Sequence, residues 1–112
     1  MTIKYLDPLK RYEEYACFQL AYDGEGRGLR QARAALEPSL AMSQAVRELD
    51  EIVIEAIRVN DYIDPALLED DASQPLAHWW WHLGKLRRHA YPAHLLPEHL
   101  RAIYQELTER AA

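Results

Sequence analysis

The chain has 112 residues, of which 49% are hydrophobic and 28% charged, and these proportions are typical of one globular domain and not of a disordered segment. Its net charge of −5 at pH 7 disfavours binding to the phosphate backbone of nucleic acids, and its single cysteine excludes an intrachain disulfide. The first residues lack the apolar core of a secretion signal, and no apolar run reaches the roughly 20 residues of a membrane span, so we expect a cytoplasmic protein.

The first predicted element is a helix that begins at Asp7-Pro8, because aspartate is a favourable N-cap and proline suits the first helical position. Apolar residues then recur at helical spacing on two sides of the segment, which indicates a helix packed between others. These residues are Leu9, Tyr12, Ala16 and Leu20 on one side, and Tyr15, Phe18 and Tyr22 on the other. A short strand over residues 15–22 is the alternative. The glycine-rich stretch 23–28 lacks the flanking residues of a phosphate-binding loop, so we interpret it as a connector.

The clearest periodicity in the chain follows a short predicted helix over residues 29–37. Ser39 is predicted to begin a long helix that reaches Asn60, with its apolar face turned toward the core. The residues on that face are Met42, Ala45, Val46, Leu49, Ile52, Val53, Ala56, Ile57 and Asn60. Ile54 is the one large apolar residue off the face. A last helix is predicted to open at Pro97.

All three tryptophans are adjacent, in the sequence His78-Trp79-Trp80-Trp81-His82. The spacing predicts a helix over residues 76–89 whose apolar face carries Trp79 and Trp80, while Trp81 points to the opposite side. Tryptophan, tyrosine and arginine dominate the energetics of protein interfaces, so Trp81, Arg88 and Tyr91 are predicted to anchor a protein partner. The alternative is that the following loop or the last helix covers Trp81.

Charge is distributed unevenly along the second half of the chain. Residues 48–71 contain nine acidic residues and one basic residue, whereas residues 72–96 contain three basic residues and no acidic one. Either the two segments face each other, or the acidic segment forms a surface that attracts a basic partner. On the second interpretation Glu51, Glu55, Asp70 and Asp71 are predicted to contact the partner.

The histidines suggest a further kind of site. His78 and His82 are four residues apart, and on a helix this spacing can place two ring nitrogens on one metal ion. However, Trp79 stands where the metalloprotease motif has glutamate, and the cationic Lys85 is predicted to lie on the same side. The chain also lacks the sequence context of a nucleophilic serine or a nucleotide-binding loop, so no catalytic residue and no cofactor are assigned.

The sequence therefore predicts an all-α bundle of four to five helices that forms a single domain over residues 1–112. We expect it to act by binding a protein with a basic surface, as an antitoxin, immunity protein or small inhibitor does, and to bind neither nucleic acid nor a membrane. Two alternatives remain: a metal-binding protein that uses His78 and His82, and a homo-oligomeric subunit.

Overall fold

The computed structural model describes residues 7–19, 27–36, 38–60 and 62–111, and within these ranges every regular element is helical. The predicted all-α fold is thereby confirmed. The α-helices are α1 (Pro8–Glu14), α2 (Gly28–Ala34), α3 (Pro38–Ala41), α4 (Gln44–Val59), α5 (Leu83–Arg87) and α6 (Glu98–Ala111). A π-helical turn (Tyr15–Gln19) extends α1, and three 3-10 turns follow α4 at Pro65–Leu68, Trp79–Trp81 and Ala93–Leu95. In the part of the chain so described, no helix has the length and apolar character needed to cross a membrane.

Local capping signals determine where the first and the longest helix begin. The Asp7 side chain accepts a hydrogen bond from the Leu9 N–H at 3.0 Å, as predicted from the sequence. The start of the long helix at Ser39 was predicted wrongly, because α3 and a turn precede α4 and Ser43 is the N-cap. Residues 15–19 are helical and not a strand, whereas residues 20–26 lie outside the described part of the chain.

The long helix α4 is the centre of the core and packs against α1, α5 and α6. Its buried face is rotated relative to the face predicted from hydrophobicity. Ile54 is fully buried, although it was predicted to lie off the face, whereas Ile52 was predicted to be buried and is 43% exposed. Met42, which was also predicted to be buried, lies before α4 and is 71% exposed. Asp50, four residues before Ile54 on the same side of the helix, is also fully buried, in an ion pair with Arg33, so the inward side includes a carboxylate. A pattern that counts every carboxylate as exterior cannot locate such a face.

The tryptophan segment is not the continuous helix that its spacing predicts. Trp79–Trp81 form a 3-10 turn, His82 breaks the helical geometry with φ −132° and ψ 41°, and α5 begins only at Leu83. Backbone pairing with a distant segment causes this break, because the Trp81 carbonyl accepts the Asp71 N–H at 2.9 Å. The Asp70 side chain in turn accepts the Lys85 N–H at 3.1 Å, in the first turn of α5.

Candidate functional site: two surfaces and a buried polar cluster

Three of the predicted partner-binding residues, Trp81, Asp70 and Asp71, lie together at one cleft of about 280 Å³, which we call the polar cleft. The cleft is completed by Arg27, Arg30, Ala66, Glu69 and Ala72. Trp81 is half-buried, and the Arg30 guanidinium lies 5.5 Å from the centroid of its ring. An arginine of α2 therefore covers part of the indole, and the remaining part faces the polar cleft.

The acidic side chains of the polar cleft already serve the fold. Asp70 pairs with Arg88 at 3.2 Å in addition to its bond with the α5 backbone. Asp71 accepts hydrogen bonds from the backbone N–H and the hydroxyl of Ser73 at 2.9 and 2.6 Å, and these bonds lower the pKa of the Asp71 carboxyl. Both groups are thus held in position, and Arg88 is exposed beside them.

The remaining predicted contacts lie elsewhere. Tyr91 is only 3% exposed, and its hydroxyl donates a hydrogen bond to the Leu76 carbonyl at 2.5 Å. Burial raises the pKa of Tyr91 to about 12, and its own carbonyl accepts the Tyr104 hydroxyl at 3.1 Å. Tyr91 therefore joins the loop before the tryptophans to α6. Glu51 and Glu55 lie on α4, where Glu55 is exposed and Glu51 is half-buried.

The two histidines proposed as metal ligands make separate contacts. His78 is exposed and its ring stacks on Trp80, with the centroids 4.9 Å apart and the planes 11° apart. His82 is buried, and its Nε2 lies 3.2 Å from the Pro75 carbonyl. Among the described residues, no group of three or more histidine, cysteine, aspartate or glutamate side chains is arranged to hold a metal ion.

A buried polar cluster joins four helices around Asp50. Its carboxylate receives two hydrogen bonds from Arg33, at 2.8 and 3.1 Å, and one from the Tyr12 hydroxyl at 2.6 Å. His99 of α6 lies 4.0 Å from the same carboxylate. Desolvation, followed by the nearby charge of Asp50, raises the pKa of Tyr12 well above its usual value. The guanidinium of Arg33 also lies 4.5 Å from the centroid of the Trp80 ring, so the cluster anchors the tryptophan turn as well.

A second surface, of which the sequence analysis selected only Glu55, runs along the outer side of α4. A groove of about 470 Å³ lies between α1 and α4, and a smaller one of about 240 Å³ continues along α4; Ile52 lines both. The larger groove is lined by Asp7, Leu9, Lys10, Glu13, Cys17, Ala45, Glu48, Leu49 and Ile52. The smaller one is lined by Ile52, Glu55, Ala56, Val59 and Asn60. We call the two together the α4 groove.

A sequence signal for this surface does exist. The apolar residues assigned to one face of the long helix, from Ile52 at one edge to Ile57 at the other, span roughly 140° at 100° per residue, which is wider than the ~100° stripe that usually meets a core. Ile52 lies at the outer edge of that arc and Val59, which was not assigned to the face, lies just beyond this edge; they are 43% and 54% exposed. The excess width of the arc therefore indicates a second apolar face.

Comparison of this chain with protein-family models, with curated proteins and with solved structures finds no match. Function is therefore inferred from the two surfaces and the buried polar cluster themselves.

Proposed function

We propose that this protein acts by binding another protein, and that the α4 groove is the surface that receives it. The observation that carries the proposal is the exposure of large apolar side chains along one helix. Ile52 and Val59, which line the groove, are 43% and 54% exposed two helical turns apart on α4. Contiguous apolar surface bordered by charged residues is characteristic of protein interaction sites.

The charges beside the α4 groove support a basic partner. Glu48 and Glu55 are exposed on α4, while Asp7, Glu13 and Lys10 border the groove on the α1 side. Four carboxylates and one ammonium group thus border the groove, which gives its edges a net negative charge. Complementary charge accelerates association and selects among partners, so a basic protein surface is the expected complement. An inhibitor or immunity protein directed at a basic enzyme would use such a surface.

The proposal assigns no catalytic role to the chain. The buried polar cluster brings a carboxylate, a phenol and an imidazole together, as acid–base chemistry would require, but its Asp50 and Tyr12 are completely buried. Asp50 accepts three hydrogen bonds within the fold, and Tyr12 donates its hydroxyl to Asp50. This engagement supports a structural role for the cluster.

A capture experiment with four baits tests the proposal. Wild type, Ile52→Lys, Tyr62→Lys and Trp81→Ala are each used to capture proteins from a lysate of the source organism, and the captured proteins are identified by mass spectrometry. Ile52→Lys places a charge in the α4 groove, whereas Tyr62, which is 61% exposed, lines neither part of it. Ile52 lies in α4, where lysine is a good helix former, and Tyr62 lies outside the helices with its side chain exposed, so both lysine variants should fold.

We expect a stoichiometric partner that is retained by Tyr62→Lys and lost with Ile52→Lys. A partner retained by Ile52→Lys but lost with Trp81→Ala would place the interface at the polar cleft and contradict the proposal. Capture of no partner by the wild-type bait would leave the homo-oligomeric alternative, which light scattering over a range of concentrations measures directly.

A further inference from the structure

Resting on the proposed binding function, we infer that the partner presents an amphipathic α-helix with basic flanks, which lies along the α4 groove. The apolar residues of the groove on α4 are Ala45, Leu49, Ile52, Ala56 and Val59. Their spacing is four, three, four and three residues, which is the a/d repeat of a coiled-coil seam. Such a seam accepts the side chains of a second helix between its own, and an extended peptide would not match this repeat.

The dimensions of the groove also suit a helix. α4 has 16 residues and therefore a length of about 24 Å. Leu49 is 7% exposed and forms a floor, while Ile52 stands 43% exposed at the side. Along the larger part of the groove, Leu9 and Cys17 approach from the α1 side and form a second wall, whereas the residues that line the smaller part all belong to α4 and its C-cap. Two helical walls around an apolar floor are the arrangement in which amphipathic helices dock.

Charge determines the flanks of the docked helix. Glu48 and Glu55 are seven residues apart, so they occupy the same position of successive heptads and form one acidic border of the seam. The opposite border is the α1 wall, where Asp7 and Glu13 outnumber Lys10. A helix with lysine or arginine beside its apolar positions would pair with both borders.

The same charges disfavour a second copy of this chain as the occupant. Antiparallel pairing of two α4 helices through this seam would bring the row that contains Glu48 and Glu55 next to its own symmetry mate. Like charges along a seam destabilise pairing. The acidic α1 wall would add to this repulsion, so a basic helix is favoured over self-association.

Two synthetic helices distinguish these possibilities. Both have about 21 residues, three heptads, with leucine at the a and d positions; one has lysine at the e and g positions and the other glutamate. Binding to the full-length protein is measured by fluorescence anisotropy of the labelled peptide. We expect the lysine peptide to bind at least about 10-fold more tightly at low salt, and the difference to shrink at about 0.5 M salt because exposed charges are then screened.

Protein variants locate the contact. Glu48→Gln together with Glu55→Gln should weaken binding of the lysine peptide several-fold. The same pair of substitutions should leave binding of the glutamate peptide unchanged or slightly strengthen it. Ile52→Lys should abolish binding of the lysine peptide, and Tyr62→Lys, the matched control, should not change it. Cys17, the single cysteine of the chain, is exposed and lines the groove, so its alkylation by iodoacetamide should slow in proportion to the fraction of protein bound.

Several outcomes would overturn the inference: equal affinity for both peptides, binding of neither, or binding that leaves the alkylation rate of Cys17 unchanged. A dimer that Ile52→Lys dissociates would show that a second copy occupies the groove.

These failures are separable from failure of the proposed function. A captured partner lost with Ile52→Lys but insensitive to the two glutamine substitutions would preserve the protein-binding function and refute the basic helix. Discrimination between the peptides without any captured partner would refute the function alone.

Discussion

The buried ion pair between Asp50 and Arg33 gives the sharpest prediction for stability. Asp50→Asn removes the negative charge but keeps the size of the side chain, so Arg33, whose side chain is 7% exposed, loses its counter-ion inside the core. Removing one partner of a buried pair costs about 3–5 kcal/mol. Arg33 retains its contact with the Trp80 ring at 4.5 Å, which favours the lower end of this range. We therefore expect a loss of about 3 kcal/mol in the free energy of unfolding.

Urea denaturation followed by circular dichroism measures this loss. With a slope of about 1–2 kcal/mol per molar urea, the midpoint should fall by about 1.5–3 M. Arg88→Gln is the matched control, because it breaks an ion pair in which the arginine side chain is 59% exposed, and it should cost no more than about 1 kcal/mol. Similar losses in the two variants would refute the reasoning. Replacing all three hydrogen-bonded groups, Asp50→Leu with Arg33→Met and Tyr12→Phe, should recover most of the stability because neither an unpaired charge nor an unsatisfied hydroxyl remains.

Three further predictions concern packing, capping and pH. Gly84→Ala should lower the melting temperature by roughly 5–15 °C, because the added Cβ would collide with the Leu68 carbonyl; an unchanged melting temperature would contradict this close approach. Ser43→Ala removes the N-cap bond to Val46 and should cost about 1 kcal/mol in urea denaturation, and a change near zero would show that another group caps α4. Burial lowers the pKa of His99, opposed in part by Asp50, so the folded state binds this proton less readily than the unfolded chain. Stability should therefore fall as the pH drops below about 6.5, and His99→Gln should reduce this dependence between about pH 7.5 and 5.5; an unchanged slope would exclude His99 as its source.

Local signals in the sequence were sufficient for the elements that depend on local energetics. The Asp7-Pro8 start of α1 and the helical period of α4 were predicted because capping and periodicity act within a few residues. The orientation of α4 was not, since it depends on Arg33, seventeen positions before Asp50 in the chain. Hydrophobicity alone could not identify a buried carboxylate whose partner is distant in sequence.

Long-range contacts also explain the errors at the tryptophan segment. Asp70 and Asp71 were predicted as surface acids, yet they engage the backbone of α5 and the Trp81 carbonyl. A helical period over residues 76–89 contains no information about these competing hydrogen-bond partners. Part of the lining of the polar cleft was nonetheless selected from the sequence, because three of the residues predicted to contact a partner are adjacent in space.

The clustering of the three indoles has a consequence for optical studies of this protein. Trp79 packs edge-on against Trp80 with the centroids 5.6 Å apart, and Trp80 stacks on His78, so the tryptophan emission of the chain arises from a single corner of the fold. Fluorescence will consequently report the opening of that corner, whereas far-ultraviolet dichroism averages over all helices. Coincident transitions by the two methods would show that the corner and the long helices unfold as one cooperative unit.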